Sequence, residues 1–176
     1  MEKQINTKEI YNGKVIRVTL DEVELDDKTR SLREVVHHRG GVCIALLDED
    51  DDSFYMVRQY RYALGKQMLE FPAGKIEKDE DIYDAINREA EEETGYKAKE
   101  LEYYGYIIPT CGYDNEKIHL FYGKKGERVG QHLDKDERIE LEKHSYKEIE
   151  AMIKDNIIDD SKTIALMYKL KINGKD

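Results

Sequence analysis

Proline and cysteine are scarce in this chain, two of each among 176 residues, and no apolar run exceeds the six residues from Val42 to Leu47. A run that short excludes a membrane-spanning helix, which needs about 20 apolar residues. Two cysteines, Cys43 within VCIALL and Cys111 in a polar stretch, make no disulfide framework of the kind small secreted domains use. The opening MEKQINTKEI also lacks the apolar core of a signal peptide. A cytoplasmic, reducing setting is the expectation, with Cys43 a small core residue. An excess of positive charge is missing too: the formal net charge is −10, which repels a phosphate backbone and argues against nucleic acid as a partner. A phosphate-bearing ligand would need local arginines or bound cations to overcome that field.

What is present is a chain 39% apolar and 39% charged, a composition for an ordinary folded domain of mixed α/β type rather than a disordered one. The first forty residues read as short strands at Lys14 to Leu20, Glu22 to Leu25 and Arg33 to His38, an antiparallel extension before a main domain over 41–176. After Gly40-Gly41, two strands (42–47 and 54–60) flank the acidic turn DEDDDS, read as a solvated hairpin tip. QMLEFPAGK is a strand ending in a Pro/Gly turn. A helix follows from Asp81 to Thr94, stopped by Gly95. Strands are expected at Leu101 to Ile108, Ile118 to Tyr122 and Ile139 to Lys143, with a polar loop from Lys124 to Asp136. Ser145 and Glu148 form a capping box for a helix with Ile149, Met152 and Ile153 on one face. Ser161 is read as the cap of a last helix with Ile164, Met167 and Leu170 inward.

The helix over 81–94 breaks its own pattern. With Ile82 at zero and about 100° per residue, Ala85, Ile86, Glu89, Ala90 and Glu93 all fall within about 80° of it. Two carboxylates one turn apart thus lie where burial is expected, a like-charge pair that is unfavourable even when exposed and much worse when buried. Arg88 sits on the flank between Asp84 and Glu92 and cannot neutralise the pair alone. A hard divalent cation held by oxygen ligands, Mg²⁺ or Mn²⁺, is the physical remedy, with Glu92 within reach. A solvated acidic helix face is the alternative that charge and periodicity leave open.

The spacing narrows that choice. Gly74, Glu80, Arg88, Glu89, Ala90, Glu92, Glu93 and Gly95 match the fixed positions of the Nudix box, G-x5-E-x7-R-E-U-x-E-E-x-G-U, with Tyr96 where the last aliphatic residue usually stands. The chain therefore resembles the Nudix hydrolases. The resemblance implies a mixed sheet sandwiched between helices, metal ligation by Glu89, Glu92, Glu93 and the backbone carbonyl of Ala73, close approach at Gly74, an orienting role for Arg88 and a supporting one for Glu80.

Outside the box, YNGKVIRVTLDEVELDD, VRQYRYALGKQMLEFPAGK, LDKDERIEL and DDSKTIALMYKL resemble the ADP-ribose pyrophosphatase branch in order along the chain. By position, Arg33, Arg39, Arg61 and Glu70 match residues that contact substrate there. Gly112, Tyr113 and Glu116 match its S-P-G-F-x-[DS]-E stretch, while Cys111 replaces the proline. The resemblance implies Mg²⁺-dependent cleavage of ADP-ribose to AMP and ribose 5-phosphate, and a homodimer formed through the N-terminal sheet. Other nucleoside diphosphate sugars, GDP- or UDP-linked, share the pyrophosphate requirement. A module that binds ADP-ribose without cleaving it is a third reading, but such modules usually lack box glutamates that are all present here. Hydrolysis also needs a base for the water proton. In LDKDERIE, Glu137 is the first candidate, Asp134 and Asp136 the alternatives, and a box glutamate the remaining possibility.

Overall fold

The computed structural model describes residues 1–133 and 138–176; the four residues from Asp134 to Glu137 lie outside the described residues. Contacts divide the chain into two units, one of Met1–Gly40 with Ile108–Lys117, the other of Gly41–Ile107 with Ile118–Asp176.

The first unit is a three-stranded sheet of β1 (Lys3–Asn12), β2 (Arg17–Glu24) and β3 (Arg30–His37) in that order. Both pairings are antiparallel. The two short strands expected at 14–20 and 22–25 are one strand, because β2 pairs without interruption with β3 from Arg17 to Glu24. Strand β1 was not foreseen. All ten of its residues are exposed, so no inward-facing alternation marks it, and its ladder to β2 alone makes it a strand. The segment 108–117 docks on β3: the Val36 N–H donates to the Tyr113 carbonyl at 2.7 Å, and the Asn115 N–H donates to the Val36 carbonyl at 3.2 Å.

The second unit runs β4 (Gly41–Asp48), β5 (Ser53–Arg61), β6 (Lys66–Glu70), β7 (Ala73–Lys75), α1 (Ile82–Thr94), β8 (Tyr96–Ile107), β9 (Ile118–Arg128), β10 (Ile139–Ser145), α2 (Tyr146–Lys154) and α3 (Ser161–Ile172). Its mixed sheet has the path β10-β5-β4-β9-β8, with β6 on β5 and β7 on β4. Strand β4 is parallel to β9 and antiparallel to its other neighbours. It is buried almost throughout, as a central strand covered on both faces must be. On one face Cys43, Ala45, Leu120 and Tyr122 pack with Ile149 of α2 and Leu166, Met167 and Leu170 of α3. On the other, Val42, Ile44, Leu46 and Phe121 pack with Ala85, Ile86 and Ala90 of α1. The sheet is therefore sandwiched between helices, as expected. No helix among the described residues is long and apolar enough to cross a membrane.

Three local expectations are corrected. Strand β9 continues to Arg128 where a loop from Lys124 was expected, because β8 offers a partner as far as Tyr96 and Lys124 is paired with Glu49 at 2.9 Å and Glu100 at 2.8 Å. The cap of α3 is Asp160, whose carboxylate accepts the Thr163 N–H at 2.9 Å. That shift turns Thr163 and Leu166 inward and leaves Ile164 39% exposed. The acidic turn is not wholly solvated either: Asp48 is 2% exposed and accepts hydrogen bonds from Lys143 and the Tyr55 hydroxyl at 3.0 Å each.

One irregularity positions everything that follows. Strands β4 and β5 pair only through Leu46–Asp48 with Ser53–Tyr55 and then part. Strand β6 fills the β5 side, where Val57 faces Glu70 and Arg61 faces Lys66. Strand β7 fills the β4 side, where Cys43 faces Ala73. Phe71-Pro72 bridges the two, and proline, with no N–H to donate, suits the break between strands.

Candidate active site

Helix α1 is fixed at both ends. The Asp81 carboxylate accepts the Tyr83 N–H at 2.8 Å, a good N-cap. At the other end Gly95 adopts φ 78°, and its N–H donates to the Glu91 carbonyl at 2.9 Å. A left-handed residue there is glycine's usual role. The chain after β9 then lies across this helix end: Val129 and Gly130 N–H groups donate to the Gly95 carbonyl at 2.9 and 3.1 Å, and the His132 N–H to the Glu92 carbonyl at 3.1 Å. Gln131 Nε2 donates to the Glu93 carbonyl at 2.7 Å. Carbonyls that a helix end leaves without partners are thereby satisfied.

The stripe of α1 does carry its carboxylates inward. Glu93 is 3% exposed, and its Oε2 accepts the Ala73 N–H at 2.9 Å. Glu89 lies against the β7 backbone so closely that a Cβ added to Gly74 would sit 1.9 Å from its carboxylate carbon. Arg88 gathers the rest. Its Nε and Nη2 donate to the two oxygens of Glu80 at 2.8 and 3.0 Å, a parallel fork of charge-assisted bonds. Its Nη1 donates to Glu89 at 2.8 Å and Glu92 at 3.0 Å, and Nη2 also reaches the Lys75 carbonyl at 3.0 Å. The hydrogen bonds from Arg88 hold the Glu80 carboxyl below its usual value, and the Arg88 guanidinium is raised in turn, foremost by Glu80. Of the two flanking partners expected for Arg88, Glu92 is one; in place of Asp84 the side chain turns to Glu80 and Glu89.

A second polar cluster occupies the gap between β4 and β5. Glu70 is 1% exposed, and Arg61 grips it with a fork, Nε to Oε1 at 2.8 Å and Nη2 to Oε2 at 2.7 Å. Lys162, only 8% exposed, donates to the same Oε2 from the first turn of α3. It also pairs with Asp160 at 2.9 Å. Burial pushes the Glu70 carboxyl up, yet Arg61 and Lys162 outweigh it and the net direction is down. Arg58 is occupied elsewhere, in a bidentate pair with Glu142.

Oxygen donors on one face of α1, with a glycine that opens room for them, suit a hard divalent cation. Among the described residues no three carboxylate, imidazole or thiol groups converge as a ready cluster. Arg88 bridges Glu89 and Glu92, and Glu93 is turned to the Ala73 N–H.

Arg33, Arg39, Gly112, Tyr113 and Glu116 belong to the first unit. Arg33 forms a fork with Glu2, at 3.0 and 2.6 Å. Arg39 is exposed. Gly112 is an open turn residue, and Glu116 pairs with His38 Nδ1 at 3.1 Å. Tyr113 lines a cavity of about 480 Å³ with Ile10, Val18 and Val36. Glu137, Asp134 and Asp136 lie outside the described residues. Sequence reasoning missed Lys162 and Gln131. The first carried a signal: a lysine two residues after the Asp160 cap, on a face it shares with Thr163, Leu166, Met167 and Leu170, needs a buried anion.

Comparison with known proteins agrees with this construction. The NUDIX domain model matches residues 37–167. The chain is similar to a methanol dehydrogenase activator of Bacillus methanolicus, 37% identical over 174 residues that cover 97% of this chain and 93% of that one. It is 33% identical to an ADP-ribose pyrophosphatase of Bacillus subtilis (strain 168) over 173 residues, with the same two coverages of 97% and 93%. A GDP-mannose pyrophosphatase of Cronobacter sakazakii is 28% identical over 164 residues, 84% of this chain and 85% of that protein. The crystal structure of an ADP compounds hydrolase matches the fold with a TM-score of 0.84, at 18% identity, over 99% of this chain and 97% of that one. With Glu89 and Glu93 turned against β7 of a sandwiched mixed sheet, and relatives matched over most of their length, the chain belongs to the NUDIX domain family and is a hydrolase of a phosphoric anhydride bond.

Proposed function

We propose that the protein hydrolyses ADP-ribose to AMP and ribose 5-phosphate with Mg²⁺, for which Mn²⁺ can substitute. The observation that carries this reading is the placement of an anchored guanidinium, Arg61 on Glu70, in the sheet gap whose next residues hold Glu93 through the Ala73 N–H. A pyrophosphate needs fixed positive charge beside its oxygens, and an arginine fork supplies it. Glu89, Glu92, Glu93 and the Ala73 carbonyl would hold the cation. When bound, it neutralises phosphate charge and acidifies water.

The residues of this chain then divide the work. Arg88 sets the directions of Glu89 and Glu92 by its hydrogen bonds, with Glu80 as its counterweight. Arg61, held on Glu70, meets the negative substrate. Water oxygen forms the new bond to phosphorus, the bridging P–O bond breaks, and the water proton passes to a carboxylate, Glu137 in the first instance. Loss of turnover of about 100-fold or more in Glu137→Gln, with an unchanged melting temperature, assigns that role. The same loss in Asp136→Ala with an active Glu137→Gln moves it to Asp136. The protein acts in the cytoplasm as a homodimer built through β1–β3, and sedimentation at monomer mass would end that part of the reading.

A GDP-linked sugar is the second reading, favoured by the GDP-mannose pyrophosphatase among the similar proteins and by exposed Cys111 where the ADP-ribose pattern has proline. Incubation with Mg²⁺ and a panel of nucleoside diphosphate sugars, with products identified by mass, decides between them. AMP from ADP-ribose alone supports the first; GMP from GDP-mannose at a higher kcat/KM overturns it.

A further inference from the structure

Lys162 has no place in the family box, yet it is the most deeply placed cation described in this site. The face of α3 that carries it otherwise presents Thr163, Leu166, Met167 and Leu170 to the core. A buried ammonium there is unfavourable unless paired. Its partners are Glu70 and Asp160. Asp160 also caps α3 by accepting from the Thr163 N–H and hydroxyl, and Thr163 Oγ1 accepts the Phe71 N–H at 3.0 Å. The first turn of α3 is thereby tied to Glu70 through Lys162 and to Phe71 through Thr163. Two residues later the Ala73 N–H holds Glu93.

The fork between Arg61 and Glu70 uses Nε and Nη2. Nη1 makes no hydrogen bond among the described residues, and a guanidinium offers five N–H donors in a fixed plane. The orientation of the Glu70 carboxylate therefore decides where the remaining Arg61 donors point. With Lys162 holding Oε2, that plane is fixed from two sides. Without it, Oε2 keeps only Arg61, and the guanidinium is free to tilt toward the vacant acceptor direction.

We propose that Lys162 is a positioning residue for substrate: by fixing the Glu70 carboxylate it aims the free edge of Arg61 at the pyrophosphate of a nucleoside diphosphate sugar. This rests on the reading of Arg61 as a substrate ligand, and the experiment separates the two. Dissociation constants for ADP-ribose and for GDP-mannose are measured by calorimetry without metal, and KM, kcat and melting temperature with Mg²⁺. The proteins are wild type, Lys162→Met, Arg61→Ala and the double variant. Lys162→Met is expected to raise Kd and KM about tenfold with kcat changed far less, the pattern of lost uniform binding. In the double variant its effect on Kd should vanish against the Arg61→Ala background, as for residues acting through one contact. An unchanged Kd in Lys162→Met, beside a raised Kd in Arg61→Ala, overturns the positioning role and leaves Arg61 a ligand. Additive losses in the double variant overturn it too. An unchanged Kd in Arg61→Ala, or a wild type that binds neither compound, overturns the ligand reading and the proposal with it. Should Lys162→Met fail to fold, Glu70→Gln/Lys162→Met removes both charges together, and an unchanged Kd in that protein is equally fatal.

Discussion

Glu89 places its carboxylate where a side chain on residue 74 would be: a Cβ built on Gly74 lies 1.9 Å from the Glu89 carboxylate carbon and 1.9 Å from Oε1. The obstacle is the end of a flexible side chain, so Gly74→Ala is relieved by swinging Glu89 away rather than by moving backbone. Stability should fall by only about 1 kcal/mol, while turnover falls at least about tenfold because the displaced group is a proposed metal ligand. Urea denaturation beside a rate assay reads both. A full rate in this variant would remove Glu89 from the site.

Glu93→Gln keeps the shape of the side chain and an oxygen for the Ala73 N–H, but loses the charge. The melting temperature should stay within a few degrees of wild type, and kcat should drop by about two orders of magnitude or more. Circular dichroism with initial rates at saturating Mg²⁺ checks it, and undiminished kcat sinks the metal assignment.

Arg88→Lys keeps the charge and loses the fork. One ammonium cannot reach Glu80, Glu89, Glu92 and the Lys75 carbonyl together as the guanidinium does, and the exchange is not conservative at such a site. A loss of about 1–3 kcal/mol should appear as a lower thermal midpoint, with weakened dependence of rate on Mg²⁺ concentration. An unaltered Mg²⁺ titration would deny Arg88 its orienting role.

Arg61 and Lys162 hold the Glu70 carboxyl in the folded protein below the usual glutamate value, against the upward push of burial. A depressed carboxyl contributes stability that is fully present above the unfolded value and is lost as pH falls through the folded one. The melting-temperature gap between wild type and Glu70→Gln should thus be widest near neutrality and shrink below about pH 4.5. A gap that is constant from pH 7 to pH 3 would mean that Glu70 is not held as an ion.

Much of this site is legible in the sequence. The 3.6-residue period put Glu89 and Glu93 on the buried stripe, Asp81 and Gly95 marked the helix ends, and the box spacing named the family. The strands 42–47 and 54–60 are equally plain. What escaped has physical reasons. Strand β1 has no buried face, so its alternation is silent. The lysines of β9 look like loop residues until Glu49 and Glu100 pair with them. The cap of α3 lies one residue earlier than expected because Asp160 and Ser161 are both good capping types, and it is the Asp160 carboxylate that accepts the Thr163 N–H. Asp48 is buried by partners far along the chain, Lys125 and Lys143, which no local pattern announces.

The parallel pairing of β4 with β9, Gly41 against Ile118 through Leu47 against Lys124, has a bearing on assembly order. Contacts between distant parts of a chain form slowly, since the intervening loop must close first. Everything between those two strands, β5, β6, β7, α1 and β8, lies inside that loop. The hairpins and the helix can form locally, but the central seam that unites the two cores closes only when the whole excursion has returned. Catalytic competence is therefore acquired late in folding, together with the seam, and a break placed within the excursion would separate the two strands that the seam must join.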